Sequence, residues 1–298
     1  MRSVLDTDLA GDEPSPRQML YSTAVQQYQS DGTAHIAGHR AFTGANTAHG
    51  CSSAFFTSRR SDAVHAPTLI ASLSVVGAVY LGGGGSADAE AALWTSMLHG
   101  NPRILYWPFA LPANMLPTAE GWLRSQLTAR VGHPALETWM SLAGHHPTEM
   151  ESFDLLFVGG GNTFRLLHHI RGHDFMQAVK SFVDDGGTYY GGSAGAVLAT
   201  DTIRIADGHD PNDLGLTDLG ALGLVHDVDL LPHYTEDQQA ATAQWAVCHD
   251  AIVLGVPNAS GLLVTSEGIR VLGPQPVHLV TSRGSQHFDA GTDIHLDC

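Results

Sequence analysis

The chain has 298 residues, of which 43% are hydrophobic, enough to build one large domain with a sizeable core. Its 30 acidic and 14 basic residues give a formal net charge of −16. A field of that sign repels phosphate backbones, so no nucleic-acid partner is expected. The three cysteines lie far apart and form no CxxC pair, which argues against a disulfide framework or a zinc site.

The first 67 residues differ in composition from the rest. They are rich in Ser, Thr, Ala, Gly, His and Asp and show neither helical nor strand periodicity. We interpret residues 1–67 as a loosely ordered extension, with a lid, a partner-binding segment or an over-long start as alternatives, and residues 68–298 as the main domain. No secretory signal or membrane-length apolar run is visible, so the sequence predicts a cytoplasmic protein that does not bind membranes.

Short apolar segments alternate with helical patterns in the main domain. They lie at residues 69–81, 103–111, 153–162 and 188–190, and three of them end in glycine-rich turns. This alternation predicts an α/β fold, a mostly parallel sheet with helices on both faces. Ligand sites in such folds lie at the carboxyl ends of the strands.

The C-terminal part is richer in strand patterns. Apolar segments occur at residues 228–234, 251–258, 260–273 and 276–282. A hairpin is predicted at residues 266–268.

Ser193 lies at the centre of the segment GGSAG (191–195), which matches the GxSxG pattern. The segment follows a short strand and precedes a small-residue helix, which is the context that the motif requires. Glycines permit the strained backbone of such a turn, and the amide of Ala194 at the helix start faces the serine oxygen. The pattern predicts a nucleophile for hydrolytic acyl transfer.

A second glycine turn and one histidine complete the candidate chemistry. The turn GGGNT (159–163) follows a strand and opens a helix, so its amides can bind an oxyanion. It lacks the GK[ST] of a P-loop, and we interpret it as the second half of an oxyanion hole. Among 18 histidines, His233 stands out as a general base because it ends the apolar run VDLLP.

These residues resemble the dipeptidase E (aspartyl dipeptidase) and cyanophycinase family of serine peptidases, over residues 79–273. The resemblance implies a fold related to class I glutamine amidotransferases, with the serine on a nucleophile elbow. It implies peptide hydrolysis through an acyl-enzyme, a small peptide as substrate, no metal or organic cofactor, and a homodimer. The matching segments are FVGGGNTFRLL (157–167), YYGGSAGAVLATDTIR (189–204) and LLPHY (230–234).

By the same resemblance, Ser193 is the nucleophile and His233 the general base, and Gly161 and Ala194 donate the oxyanion amides. The family's third catalytic residue is a glutamate in a GxPEG-like motif, where this chain has Asn258. An amide can orient an imidazole but cannot stabilise imidazolium by charge. The candidate carboxylates that would replace the glutamate are Asp207, Asp210 and Glu236.

Substrate preference departs from the family pattern as well. Aspartyl dipeptidases carry an arginine after the PHF motif, whereas residues 234–269 contain no Lys or Arg here. Asn162, Arg204 and Asp210 are the candidate substrate-binding residues. The leading hypothesis is a dipeptidase-like serine exopeptidase. The alternatives are a cyanophycinase-like β-aspartyl peptide hydrolase and a catalytically weakened homologue that binds peptides or partners.

Overall fold

The computed structural model describes residues 77–296. The predicted extension, its boundary at residue 67 and the first part of the apolar run at 69–81 lie outside these residues. Among the described residues, no helix is both long and apolar enough to cross a membrane.

Twelve strands lie within the described residues. The structure contains β1 (Val79–Gly82), β2 (Arg103–Trp107), β3 (Ala135–Thr138), β4 (Leu155–Val158), β5 (Thr188–Gly192), β6 (Asp229–Pro232), β7 (Val253–Val256), β8 (Gly261–Thr265), β9 (Gly268–Leu272), β10 (Val277–Thr281), β11 (Gly284–Phe288) and β12 (Asp293–Ile294).

Helices fill several of the connections between these strands. The α-helices are α1 (Ala91–Met97), α2 (Leu116–Val131), α3 (Thr163–Arg171), α4 (Met176–Asp184), α5 (Ala194–Leu198) and α6 (Gln239–His249). Short 3₁₀ segments lie at Pro147–Ser152, Arg204–Ala206 and Glu236–Gln238.

The fold is α/β, as predicted, but the sheets are mixed, so the prediction of a mostly parallel sheet holds only for the strands from β1 to β3 of the larger sheet. The larger sheet has the order β12-β9-β8-β1-β5-β4-β2-β3, in which the strands from β1 to β3 are parallel and β8, β9 and β12 are antiparallel. A separate sheet has the order β11-β10-β7-β6. Antiparallel pairing follows where the connection is too short for a crossover, as in the predicted hairpin, where Thr265 pairs with Gly268.

The parallel strands form the centre of the core. All residues of β1 and β4 are buried, as expected for strands that are covered on both faces. Helix α3 packs its apolar side, Phe164, Leu166, Leu167 and Ile170, into the same core. This packing matters because the candidate site lies at the carboxyl ends of these strands.

Strand register brings three chain segments to one edge of the larger sheet. Gly82 pairs with Gly192, and Val158 pairs with Gly191, so β1 and β4 flank β5 and end beside it. We name the segments that follow them the β1 turn (residues 83–85) and the β4 turn (residues 159–161). Ser193 follows β5 and therefore lies between these two turns.

The smaller sheet meets the same edge. Its strands β6 and β7 are parallel, so His233 and Asn258, which follow them, end up side by side. The amide of His233 donates to the carbonyl oxygen of Gly83 (2.9 Å), and the amide of Gly83 donates to Ser260 (2.9 Å). The β1 turn therefore connects the ends of both sheets.

Candidate active site

Ser193 occupies a strained position between β5 and α5. Its backbone has φ 50° and ψ −108°, a left-handed conformation that costs a non-glycine residue about 1–3 kcal/mol. Its carbonyl oxygen accepts from the amides of Ala196 (2.8 Å) and Val197 (3.1 Å), which starts the helix. A side chain at Gly191 would clash with the backbone of Gly195, so this tight turn requires glycine there.

His233 lies directly opposite this serine. Its Nε2 is 2.8 Å from Ser193 Oγ, and its Nδ1 is 2.7 Å from Asn258 Oδ1. An amide oxygen only accepts hydrogen bonds, so Nδ1 carries the proton and Nε2 is left to accept from the serine hydroxyl. This tautomer is the one in which His233 can act as a base toward Ser193.

The three residues predicted as nucleophile, base and third member thus lie in one hydrogen-bonded chain. Asn258 is the residue that is hydrogen-bonded to Nδ1 of the imidazole. No carboxylate among residues 77–296 is hydrogen-bonded to His233, and this includes the candidate replacements Asp207, Asp210 and Glu236.

The β4 turn and the start of α5 offer hydrogen-bond donors beside the serine. A Cβ atom at Gly160 would lie 3.2 Å from Ser193 Cβ and 3.8 Å from Ser193 Oγ, so this glycine permits a close approach. Within residues 77–296, the amides of Gly160, Gly161 and Ala194 have no hydrogen-bond acceptor. Amides without acceptors beside a serine hydroxyl are suited to binding an oxyanion.

Asn162 and Asp210 use their polar atoms within the protein. The buried Asn162 caps α3 by accepting from the amide of Arg165 (2.7 Å), and it donates to the carbonyl oxygen of Pro211 (2.8 Å). Asp210 accepts from the amide (2.8 Å) and the hydroxyl (2.6 Å) of Thr163. Together they dock the segment around residue 210 on the start of α3, close to the β4 turn.

Arg204 forms an ion pair with a buried partner. Its Nε donates to both carboxylate oxygens of Asp229 (3.1 and 3.0 Å), and Trp245 donates to the same carboxylate (2.9 Å). The arginine therefore compensates a buried charge. A second arginine, Arg165, has no carboxylate partner among the described residues. Its Nη1 donates to the carbonyl oxygen of Ala110 (3.4 Å), the same oxygen with which a side chain at Gly161 would clash.

Glu90, a residue that sequence reasoning missed, is fully buried behind the β1 turn. Its Oε1 accepts from the amides of Gly84 (2.8 Å) and Gly85 (3.2 Å), and its Oε2 accepts from the hydroxyl of Tyr190 (2.6 Å). Burial raises the pKa of this carboxyl from 4.5 to about 7, although the hydrogen bonds partly oppose the rise. The only sequence signal was an acid just before α1 and after a glycine run.

Comparison with known proteins gives a consistent picture. The model of Peptidase family S51 matches residues 79–272. The chain is 30% identical over 209 residues to Peptidase E of Salmonella arizonae, a match that covers 63% of this chain and 85% of that protein. It is 29% identical over 146 residues to Peptidase E of Actinobacillus pleuropneumoniae serotype 5b (strain L20), where it covers 44% of this chain and 59% of the relative's length.

Solved structures agree at the level of the fold. A peptidase from an acI-B1 Actinobacterium aligns with a TM-score of 0.57 and 19% identity, covering 75% of this chain and 98% of that chain. Identity this low shows a shared fold, and the chemistry has to be argued from the site.

Proposed function

The chain belongs to peptidase family S51, and from that premise we propose that it is a dipeptidase-like serine peptidase, which hydrolyses small peptides through an acyl-enzyme on Ser193. The observation that carries the proposal is the hydrogen-bonded chain from Ser193 Oγ through His233 to Asn258. Such a chain provides a nucleophile, a base and a group that orients the base.

In the acylation step, His233 Nε2 takes the hydroxyl proton as Ser193 Oγ attacks the carbonyl carbon of the substrate. The carbonyl oxygen becomes an oxyanion, which the amides of Gly161 and Ala194 bind. Protonated His233 then gives its proton to the leaving amine, and the peptide bond breaks.

In the deacylation step, water replaces the amine. His233 takes a proton from the water as it attacks the acyl carbon, and then returns a proton to Ser193 Oγ. The products are the free carboxylic acid and the regenerated serine. None of these steps requires a metal or an organic cofactor.

The strained backbone of Ser193 has a role in this scheme. We regard the β5–α5 junction as a nucleophile elbow in a fold related to class I glutamine amidotransferases. A left-handed residue between a strand and a helix lifts Oγ out of the sheet edge and leaves the amide of Ala194 directed at the reacting carbonyl. The packing of the buried strands β1 and β4, on either side of β5, offsets the free-energy cost of this strained backbone.

The test is covalent labelling with a small fluorophosphonate, measured as the intact mass of the protein. We expect one adduct on the wild type and none on Ser193→Ala or His233→Ala, while Ser125→Ala, which removes an exposed serine of α2, labels normally. Adduct formation on Ser193→Ala would contradict the assignment. Well-folded wild type without any adduct would instead favour a catalytically weakened homologue that binds peptides. The neutral Asn258, in the place of the family's glutamate, is the sequence feature that favours this alternative.

Substrate choice is tested next, with purified wild type and Ser193→Ala as the blank. Because Arg204 is held by Asp229, we expect no strong preference for an N-terminal aspartate over a neutral residue. Dipeptides with either N-terminus and β-aspartyl dipeptides are compared by kcat/KM. A clear preference for β-aspartyl bonds would favour the cyanophycinase-like alternative.

A further inference from the structure

The β1 turn contacts every member of the Ser193–His233–Asn258 chain. The carbonyl oxygen of Gly83 accepts from the amide of His233. A side chain at Gly84 would clash with His233 Cε1 and reach within 3.0 Å of Ser193 Cβ, and one at Gly85 would clash with the backbone of Asn258. The position of this turn therefore decides the space in which the imidazole sits.

Glu90 is the residue that holds this turn. Its carboxylate accepts from two successive amides, those of Gly84 and Gly85, and is tied to β5 by the hydroxyl of Tyr190. Tyr190 lies three residues before Ser193 in the chain. The carboxylate thus joins the turn that contacts the imidazole to the strand that carries the serine.

The carboxylate is also close enough to act by charge. The contacts through Gly84 place Glu90 Oε1 no more than about 8 Å from His233 Cε1, with Glu90 buried and His233 exposed to solvent. The direct partner of His233, Asn258, is neutral. At such a distance a negative charge attracts the imidazolium that forms during proton transfer, and solvent around the exposed His233 weakens this attraction to about a two- to fivefold effect on the rate.

We propose that Glu90 is a positioning residue for the Ser193–His233 pair: it holds the β1 turn against both side chains, and its buried negative charge stabilises the imidazolium that forms during proton transfer. The inference rests on the proposed function for its catalytic consequence. It assigns to Glu90 part of the electrostatic role that a carboxylate in the place of Asn258 would have.

The charge on Glu90 is adjustable in the neutral pH range. Burial raises its pKa to about 7, so the fraction of ionised Glu90 grows as the pH rises through neutrality. The groups that face it from the surrounding elements are few. Tyr190 on β5 is in direct contact with it; Tyr106 on β2 lies beside Tyr190, His233 lies on the other side of Gly84, and Arg130 on α2 lies over the ring of Trp94 and is paired with Asp88.

The first experiment measures the rate of fluorophosphonate labelling of Ser193 from pH 5.5 to 9. Glu90→Gln keeps an oxygen for the two glycine amides but removes the charge. We expect it to label about two- to fivefold more slowly than wild type at pH 8.5 and at nearly the same rate below pH 6. Glu120→Gln, at a half-buried ion pair on α2, serves as the control and should follow wild type. Equal rates for Glu90→Gln and wild type at every pH would overturn the inference.

A second measurement is independent of catalysis. In Ser193→Ala, the NMR shifts of the Gly84 and Gly85 amide protons should change together near pH 7, because both donate to Glu90. Tyr190→Phe removes a donor that favours the ionised carboxylate, so it should move this transition to higher pH. If the chemical shifts of these amide protons do not change with pH, the inference is overturned, whether or not wild type is labelled. If the shifts do change but wild type is not labelled, the result counts against the proposed function alone.

Discussion

Two glycine turns flank the candidate nucleophile, and they use their backbone amides in opposite ways. The β1 turn and the β4 turn follow the two strands that pair with β5, so they stand on either side of Ser193. In the β1 turn, the amides of Gly84 and Gly85 donate inward to Glu90. In the β4 turn, the amides of Gly160 and Gly161 have no acceptor among the described residues.

This difference in amide hydrogen bonding suggests that the β1 turn has a structural role and that the β4 turn binds the reacting group. Amides that are satisfied by a buried carboxylate cannot bind a substrate, but they hold the β1 turn firmly against the imidazole. Amides without an acceptor remain available to an oxyanion, which supplies the acceptor only as the reaction proceeds. Substitutions within the two turns should therefore lower activity for different physical reasons, which kinetic and stability measurements can distinguish.

The largest effect is expected from Gly84→Ala. This residue has φ 93°, and an added Cβ would clash with the imidazole of His233, so the base has to leave its place beside Ser193. We expect kcat/KM to fall by at least about 1,000-fold, as when the base of a catalytic triad is removed. Steady-state kinetics and the labelling rate both measure this loss.

The control for Gly84→Ala is Gly100→Ala. Gly100 has a similar φ of 80°, but an added Cβ would meet nothing within 4 Å. It should lose stability by about 1 kcal/mol through backbone strain and keep its activity. Loss of activity in both variants would mean that strain, and not the clash with His233, explains the effect.

The second prediction concerns the carboxylate behind the β1 turn. The folded protein raises the pKa of Glu90 from 4.5 to about 7, so the folded state binds its proton more tightly than the unfolded state does. Stability from this group is complete below pH 4.5 and is lost as the pH rises through 7. Between pH 4.5 and 8, the free energy of unfolding of wild type should fall by about 3 kcal/mol relative to Glu90→Gln.

Urea unfolding at several pH values measures this difference. Glu120→Gln provides the control, because Glu120 is only half-buried on α2 and should show no comparable change. Parallel curves for wild type and Glu90→Gln would show that the carboxyl titrates normally in the folded protein. The β1 turn would then lack the buried charge that distinguishes it from the β4 turn.

The sequence predicted these two turns unequally, for a physical reason. Strand, glycine run and helix are local patterns, so both turns and the place of Ser193 could be predicted. The pairing of Ser193 with His233 was implied by the resemblance to a known family and by the position of His233 after a strand. The burial of Glu90 and its contact with Tyr190, 100 residues away in the chain, depend on tertiary packing, which no local pattern contains.

The second sheet was missed for a related reason. The C-terminal strands were predicted, but short strands carry no signal of which neighbour they pair with. The structure pairs β6 with β7 apart from the larger sheet. Likewise, Arg204 looked available to a substrate in the sequence, and its buried partner Asp229, 25 residues further along, could not be seen there.

The third prediction tests the β4 turn, in which the amides of Gly160 and Gly161 have no acceptor among the described residues. A methyl group at Gly160 would lie 3.2 Å from Ser193 Cβ, where the acyl group of the substrate has to pass, so Gly160→Ala should lower kcat/KM by about 100-fold. Gly121→Ala is the control, because an added Cβ on this residue of α2 would meet nothing within 4 Å. Similar activity in the two variants would indicate that the β4 turn does not line the reacting centre.

The smallest effect is expected at Asn258, the neutral partner of His233. Asn258→Asp keeps the oxygen that accepts from Nδ1 and adds a charge next to the imidazolium, so kcat/KM should rise about tenfold. Asn101→Asp adds the same charge at an exposed turn before β2, at the opposite end of that sheet, and should leave kcat/KM unchanged. The gain depends on whether Glu90 already supplies negative charge. If it does, Asn258→Asp should raise kcat/KM more in the Glu90→Gln background than in wild type, and the coupling in this double-mutant cycle measures how far the two carboxylates replace one another. Equal gains in both backgrounds would mean that Glu90 acts on the β1 turn through its hydrogen bonds alone.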